Sequence, residues 1–160
     1  MGDGVRIVNG KINFECKMES CKNCCCGVFK GITNRLSNVD HRPFDEIVLT
    51  EEDYENLYRC GRSDLIEEGY SEQMGKKYFR MALEEDGSCK ALVDGKCSIN
   101  QYKPTLCRAF PFYFDMFSGL CAVNCEGFSD EHMTDLKDSL PSFEAARKMY
   151  TFWIDFYSDI

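Results

Sequence analysis

Cys21 and Cys24 stand two residues apart, and Cys24, Cys25 and Cys26 follow one another directly. A thiolate pair at that x2 spacing can grip one metal ion or cluster, because two intervening residues let the loop fold both sulfurs inward. Adjacent cysteines cannot aim at one small ion without strain, but side by side they can serve different irons or different sites. Gly27 then frees the backbone where the chain must turn away. With Cys16 upstream these residues form a first group; Cys89, Cys97, Cys107, Cys121 and Cys125 form a second. Pro104 and Pro111 fix the backbone around Cys107, which suits a ligand loop that is shaped in advance. Arg108, beside Cys107, could lower the thiol's pKa, donate to a cluster sulfur or hold an anion such as a carboxylate. It could equally make an ordinary surface salt bridge.

These ten cysteines exceed the four ligands of one zinc site, and a thiolate-rich, histidine-poor inventory suits iron–sulfur clusters, each held by four cysteines. The expectation is one or two [4Fe–4S] clusters, with zinc as the alternative. Cys21 and Cys24 with Cys121 and Cys125 would make one zinc site, and one of Cys24, Cys25 and Cys26 is expected to be a buried spectator. His41 and His132, the only histidines, lack zinc-finger spacing and read as surface residues. Cys60 stands apart from both groups and is expected to be a buried or half-buried thiol with no part in the centre.

The rest of the composition sets the frame. Eleven cysteines in 160 residues would suggest disulfides in a secreted chain, but the odd count and the 44% hydrophobic content lean away from that. The first 17 residues show no export pattern, and position 6 is Arg6 where a myristoylation motif needs Ser or Thr, so a cytoplasmic protein is expected. A net charge of −8 argues against nucleic acid and anionic membranes as partners. No apolar run approaches the roughly 20 residues of a membrane span.

Short elements must position the cysteines. Thr50 can cap a helix whose first turn is acidic (Glu51, Glu52, Asp53) and whose apolar positions are Tyr54, Leu57 and Tyr58, with Gly61 as the stop. Ser63 then opens a second short helix through Leu65 and Ile66 toward Gly69. A strand is expected over 78–83. Asp94-Gly95 predicts a hairpin between 90–93 and 96–99, and Ser118-Gly119 another between 112–117 and 120–123. Both hairpins would carry cysteines. Ser129 opens a helical stretch to Leu136, and Ser139 with Pro141 a longer helix with Phe143, Ala146, Met149, Tyr150 and Trp153 facing the core. The architecture expected is one small α+β domain over 1–160, short helices and β-hairpins packed around a buried cysteine-ligated metal centre.

The cysteine segments resemble the YkgJ-like cysteine-cluster family, described as a zinc- or iron-chelating domain with a CxxCxxCC signature. Cys97, Ile99, Pro104, Cys107, Arg108, Phe110 and Pro111 fall in register with its second stretch; Cys89 and Leu92 match the piece before it, and Cys125 the later cysteine. The likeness covers about 14–128, leaving 129–160 as a C-terminal helical segment. Here the first signature is stretched, so which two of Cys24, Cys25 and Cys26 correspond to family ligands is open, and Asn100 and Lys103 stand where the family often has Tyr and Arg. The cysteine-rich region of flagellin lysine N-methylase is similar, which raises S-adenosylmethionine-dependent methylation of a protein or peptide side chain. Arg108, Tyr102, Phe110 and Phe112 would then line the substrate or cofactor pocket. The competing expectation is a non-enzymatic zinc- or iron-binding module that supports a protein-interaction surface.

Other chemistries fit less well. Cys21-x3-Cys25 and Cys121-x3-Cys125 are followed by Val28 and Phe128, so neither completes a radical S-adenosylmethionine motif. No Gly-rich strand–turn–helix suggests a Rossmann site. Cys21-x2-Cys24 lacks the βαβ context of a thioredoxin pair.

Overall fold

The computed structural model describes residues 5–15, 46–94, 96–115, 117–122, 128–129, 131 and 133–158. The fold is α+β. Among the described residues, no helix is long and apolar enough to cross a membrane.

The Val8-Asn9-Gly10-Lys11 sequence makes the first hairpin. Asn9 and Gly10 both have positive φ, 51° and 74°, as a two-residue turn requires, and join β1 (Ile7–Val8) to β2 (Lys11–Ile12). On its other side β2 pairs with β10 (Thr134–Asp135), closing a three-stranded sheet.

A second sheet has the order β3 (Val48–Leu49), β5 (Lys76–Met81), β4 (Ile66–Ser71), all antiparallel. Thr50 ends β3 and caps helix α1 (Glu51–Arg59) through a reciprocal box: Asp53 N–H donates to Thr50 Oγ1, and Thr50 N–H to the Asp53 carboxylate. Asp53 and Leu57, one turn apart, form the buried face of α1.

Two expectations fail here. Cys60 is exposed, not buried: it is the C-cap residue, already past the last helical turn, and the chain leaves at Gly61 with φ 74°. The second helix is only a 3₁₀ turn, Ser63–Leu65, after which the chain becomes β4. Pairing of all six β4 residues with β5 satisfies a backbone that a short, uncapped helix would leave half unpaired.

Gly69 shows how closely that sheet is packed. The Tyr78 ring crosses over it, and a Cβ at Gly69 would lie 2.3 Å from Tyr78 Cζ. The Tyr78 hydroxyl donates to the buried Glu46 carboxylate, which also receives Arg80. Burial works against the Arg80 charge, but hydrogen bonds from Glu67 and Glu46 more than offset it, so its pKa lies above the ordinary value. The ring therefore cannot yield without breaking a buried hydrogen bond. Gly69→Ala is expected to cost about 2 to 3 kcal/mol, read as a lower midpoint in chemical denaturation.

The remaining elements are β6 (Leu92–Val93) and β7 (Lys96–Cys97), joined at Asp94 with φ 51°; α2 (Thr105–Ala109); the hairpin β8 (Phe112–Asp115) and β9 (Gly119–Ala122); and α3 (Leu140–Tyr157). Both cysteine-bearing hairpins and the long C-terminal helix thus form, the helix burying Ala145, Ala146, Met149 and Phe156. The helical stretch expected from Ser129 to Leu136 does not: Phe128 bridges Phe14, Thr134–Asp135 is strand, and helical turns begin only at Leu136. Pairing with β2 overrides the local signal there. Helix α3 packs against α2 and β8.

Candidate metal centre

Three cysteines from three different local structures converge on one buried apolar cluster. Cys89 is held by an isolated antiparallel bridge to Leu83. Cys97 ends β7 opposite Leu92. Cys107 lies in α2, which begins directly after Pro104, where the missing N–H costs nothing. Cys89 and Cys107 are buried and Cys97 is partly buried, all packed with Ile47, Leu49, Leu57, Leu65, Met81 and Ile99. No disulfide joins any two of the five described cysteines.

Tyr102, Leu106 and Phe110 pack against the same cluster. Tyr102 ends a 3₁₀ turn (Asn100–Tyr102), and its side chain interacts with Arg62, whose pKa is raised first by its hydrogen bond to Asp64 and then by charge and hydrogen-bond contributions that include Tyr102. Phe112 belongs instead to a second cluster with Ile12, Ala109 and Ala122, in edge contact with Phe14, Phe128 and Phe143. Cys121 is buried on β9 opposite Tyr113, its thiol toward the Gly119 carbonyl at 3.6 Å, and belongs to neither cluster. The structure therefore gathers Cys89, Cys97, Cys107, Tyr102 and Phe110 around one core, and sets Cys121 and Phe112 apart from it.

Cys16, Cys21, Cys24, Cys25, Cys26 and Cys125, with His41 and His132, lie outside the described residues. Among the described residues, no three His, Cys, Asp or Glu side chains form a group that could hold a metal ion. The described half of the candidate centre is a sulfur-bearing wall rather than a finished ligand set.

The wall is pinned by a residue that sequence reasoning read only as part of an acidic first turn. Asp53, 3% exposed, accepts from Thr105 N–H at 3.0 Å and from Thr105 Oγ1 at 2.9 Å, in addition to capping α1. One carboxylate thus organises the starts of both α1 and α2, and so fixes the helix that carries Cys107. Thr105 Oγ1 in turn accepts from Arg108 Nη2 at 3.1 Å. Arg108 Nε is buried and has no hydrogen-bond partner among the described residues. The Thr50-x2-Asp53 spacing was the available signal for the first half of this network; nothing local marks Asp53 as the partner of a residue 52 positions away.

The donors fit a thiophilic metal or an iron–sulfur cluster: soft sulfur ligands in an apolar, water-poor setting, with a buried cationic donor beside one of them. Cys89, Cys97 and Cys107 are the described residues that would hold it. No family model, no curated protein and no solved structure matches this chain.

Proposed function

We propose that this protein binds a thiolate-ligated metal centre, one or two iron–sulfur clusters, completed when Cys89, Cys97 and Cys107 meet ligands drawn from the first cysteine group and from Cys121 and Cys125. One observation carries the proposal: three cysteines from separate local structures share a single buried apolar cluster with an adjacent buried, unpartnered arginine donor. Packing alone would be served as well by alanine or valine at those positions, and it would not leave a buried N–H without an acceptor.

Bound there, a cluster would supply one-electron chemistry or a Lewis-acidic iron. The chain's own contribution is to exclude water through Ile99, Leu57 and Met81 and to hold α2 in place through Asp53. Anaerobic purification followed by iron, zinc and acid-labile sulfide analysis tests the proposal. Iron with equivalent sulfide and a broad visible absorption band is expected. Stoichiometric zinc in a colourless protein replaces the cluster by a structural zinc module, and absence of any bound metal overturns both.

A further inference from the structure

Asp53, Thr105 and Arg108 form one continuous chain of hydrogen bonds with an open end. The Thr105 hydroxyl has a single proton and gives it to Asp53 Oδ1 at 2.9 Å; its oxygen then receives Arg108 Nη2 at 3.1 Å. A buried carboxylate and a guanidinium are thereby linked through one hydroxyl, with the opposite charges close enough to compensate each other at reduced dielectric. This fixes the guanidinium from one side. The same group carries Nε, buried and without a hydrogen-bond acceptor among the described residues. A buried charged donor left without an acceptor costs several times what an ordinary hydrogen bond contributes, so a chain that builds such a support has a use for the free N–H. Arg108 follows Cys107, whose sulfur lies in the cluster shared with Cys89 and Cys97. Metal-bound thiolates and sulfides carry excess negative charge and accept hydrogen bonds, and donors to them tune affinity and potential.

We infer that Arg108 Nε donates to a metal-bound sulfur of this centre, and that Asp53, acting through the Thr105 hydroxyl, is the positioning residue that aims it. The inference rests on the metal-binding reading above. It assigns the chain a purpose beyond bracing two helices: it places one fixed positive charge against an anionic centre. Lysine at 108 would keep the charge but not the planar donor held from two sides.

The test compares full-length wild type with R108Q, T105V and T105S. Each is assayed for metal lost to excess EDTA at neutral pH and for its sulfur-to-metal charge-transfer band, in the iron-loaded protein or, if zinc is native, after cobalt(II) substitution. Circular dichroism and thermal unfolding report folding separately. R108Q and T105V are expected to lose metal roughly tenfold to a hundredfold faster and to shift the band, while T105S, which keeps the hydroxyl, behaves as wild type. Wild type without metal defeats the functional reading and this inference with it. Loaded wild type with R108Q releasing metal at the same rate and an unmoved band overturns the inference alone. R108Q fast but T105V unchanged removes the positioning role of Asp53 and Thr105. Should R108Q fail to fold, R108K carries the same comparison, and wild-type behaviour there counts against a directed Nε donor.

Discussion

Cys107→Ser is expected to strip most of the metal from the protein, whereas Cys60→Ser is expected to leave metal content within experimental error. Both changes remove one sulfur and add one hydroxyl, so side-chain size and general disturbance are matched. They differ in position. Cys107 is buried in α2 with Leu49, Leu57 and Ile99 around it, while Cys60 is exposed at the end of α1. Serine binds soft metals far more weakly than thiolate, and losing one ligand of four typically opens a cluster to solvent and decay. Metal and sulfide analysis of the two purified variants, side by side, reads the difference. Equal losses in both would contradict the separation of Cys60 from the centre, and retention in both would remove Cys107 from the ligand set.

Asp53→Ala is the largest single stability loss expected outside the cysteines, about 3 to 5 kcal/mol. The carboxylate receives Thr50 N–H, Thr105 N–H and Thr105 Oγ1, so alanine removes the cap of α1 and leaves two donors at Thr105 without their acceptor. Thr105 is 1% exposed, so water cannot readily replace what is lost. The change Asp53→Asn keeps one acceptor oxygen but loses the charge that offsets Arg108, and its stability should fall between wild type and the alanine variant. Urea unfolding of the metal-free proteins separates this effect from metal binding. A loss under about 1 kcal/mol for alanine, no more than one ordinary hydrogen bond, would show that α2 is held by packing against α3 and not by Asp53.

Elements whose signals are local were legible in the sequence. Thr50 with its acidic first turn gave α1, Asp94-Gly95 and Ser118-Gly119 gave the two cysteine-bearing hairpins, and Pro141 marked the opening turn of α3. Asn9-Gly10 carried an equally good turn signal, but its strands are two residues long and show no alternation to support it. Residues 66–71 misled because Ser63, Leu65 and Ile66 fit a helical turn, while their pairing with β5 depends on residues that come later in the chain. Helix α2 was hidden between Pro104 and Pro111, where prolines suggested a shaped loop. At the candidate site the same division holds. Cysteine spacing pointed to Cys89, Cys97 and Cys107, but the roles of Asp53 and Thr105 come from a contact across 52 positions that no local pattern encodes.

The short sheet of β1, β2 and β10 bears on how the molecule comes apart. Two-residue strands do not survive singly, and here Ile12, fully buried, lies opposite Thr134, whose hydroxyl bonds the Ile12 and Phe14 carbonyls across 122 and 120 positions. Segments so far apart in sequence are usually the first to fray. Stitched together, they can separate only by exposing Ile12 and the aromatic edge contacts of Phe14 at once, so this region opens in concert with the second core cluster rather than strand by strand. Phe14 is two positions before Cys16, so the seam also anchors the chain at the point where the first cysteine group begins.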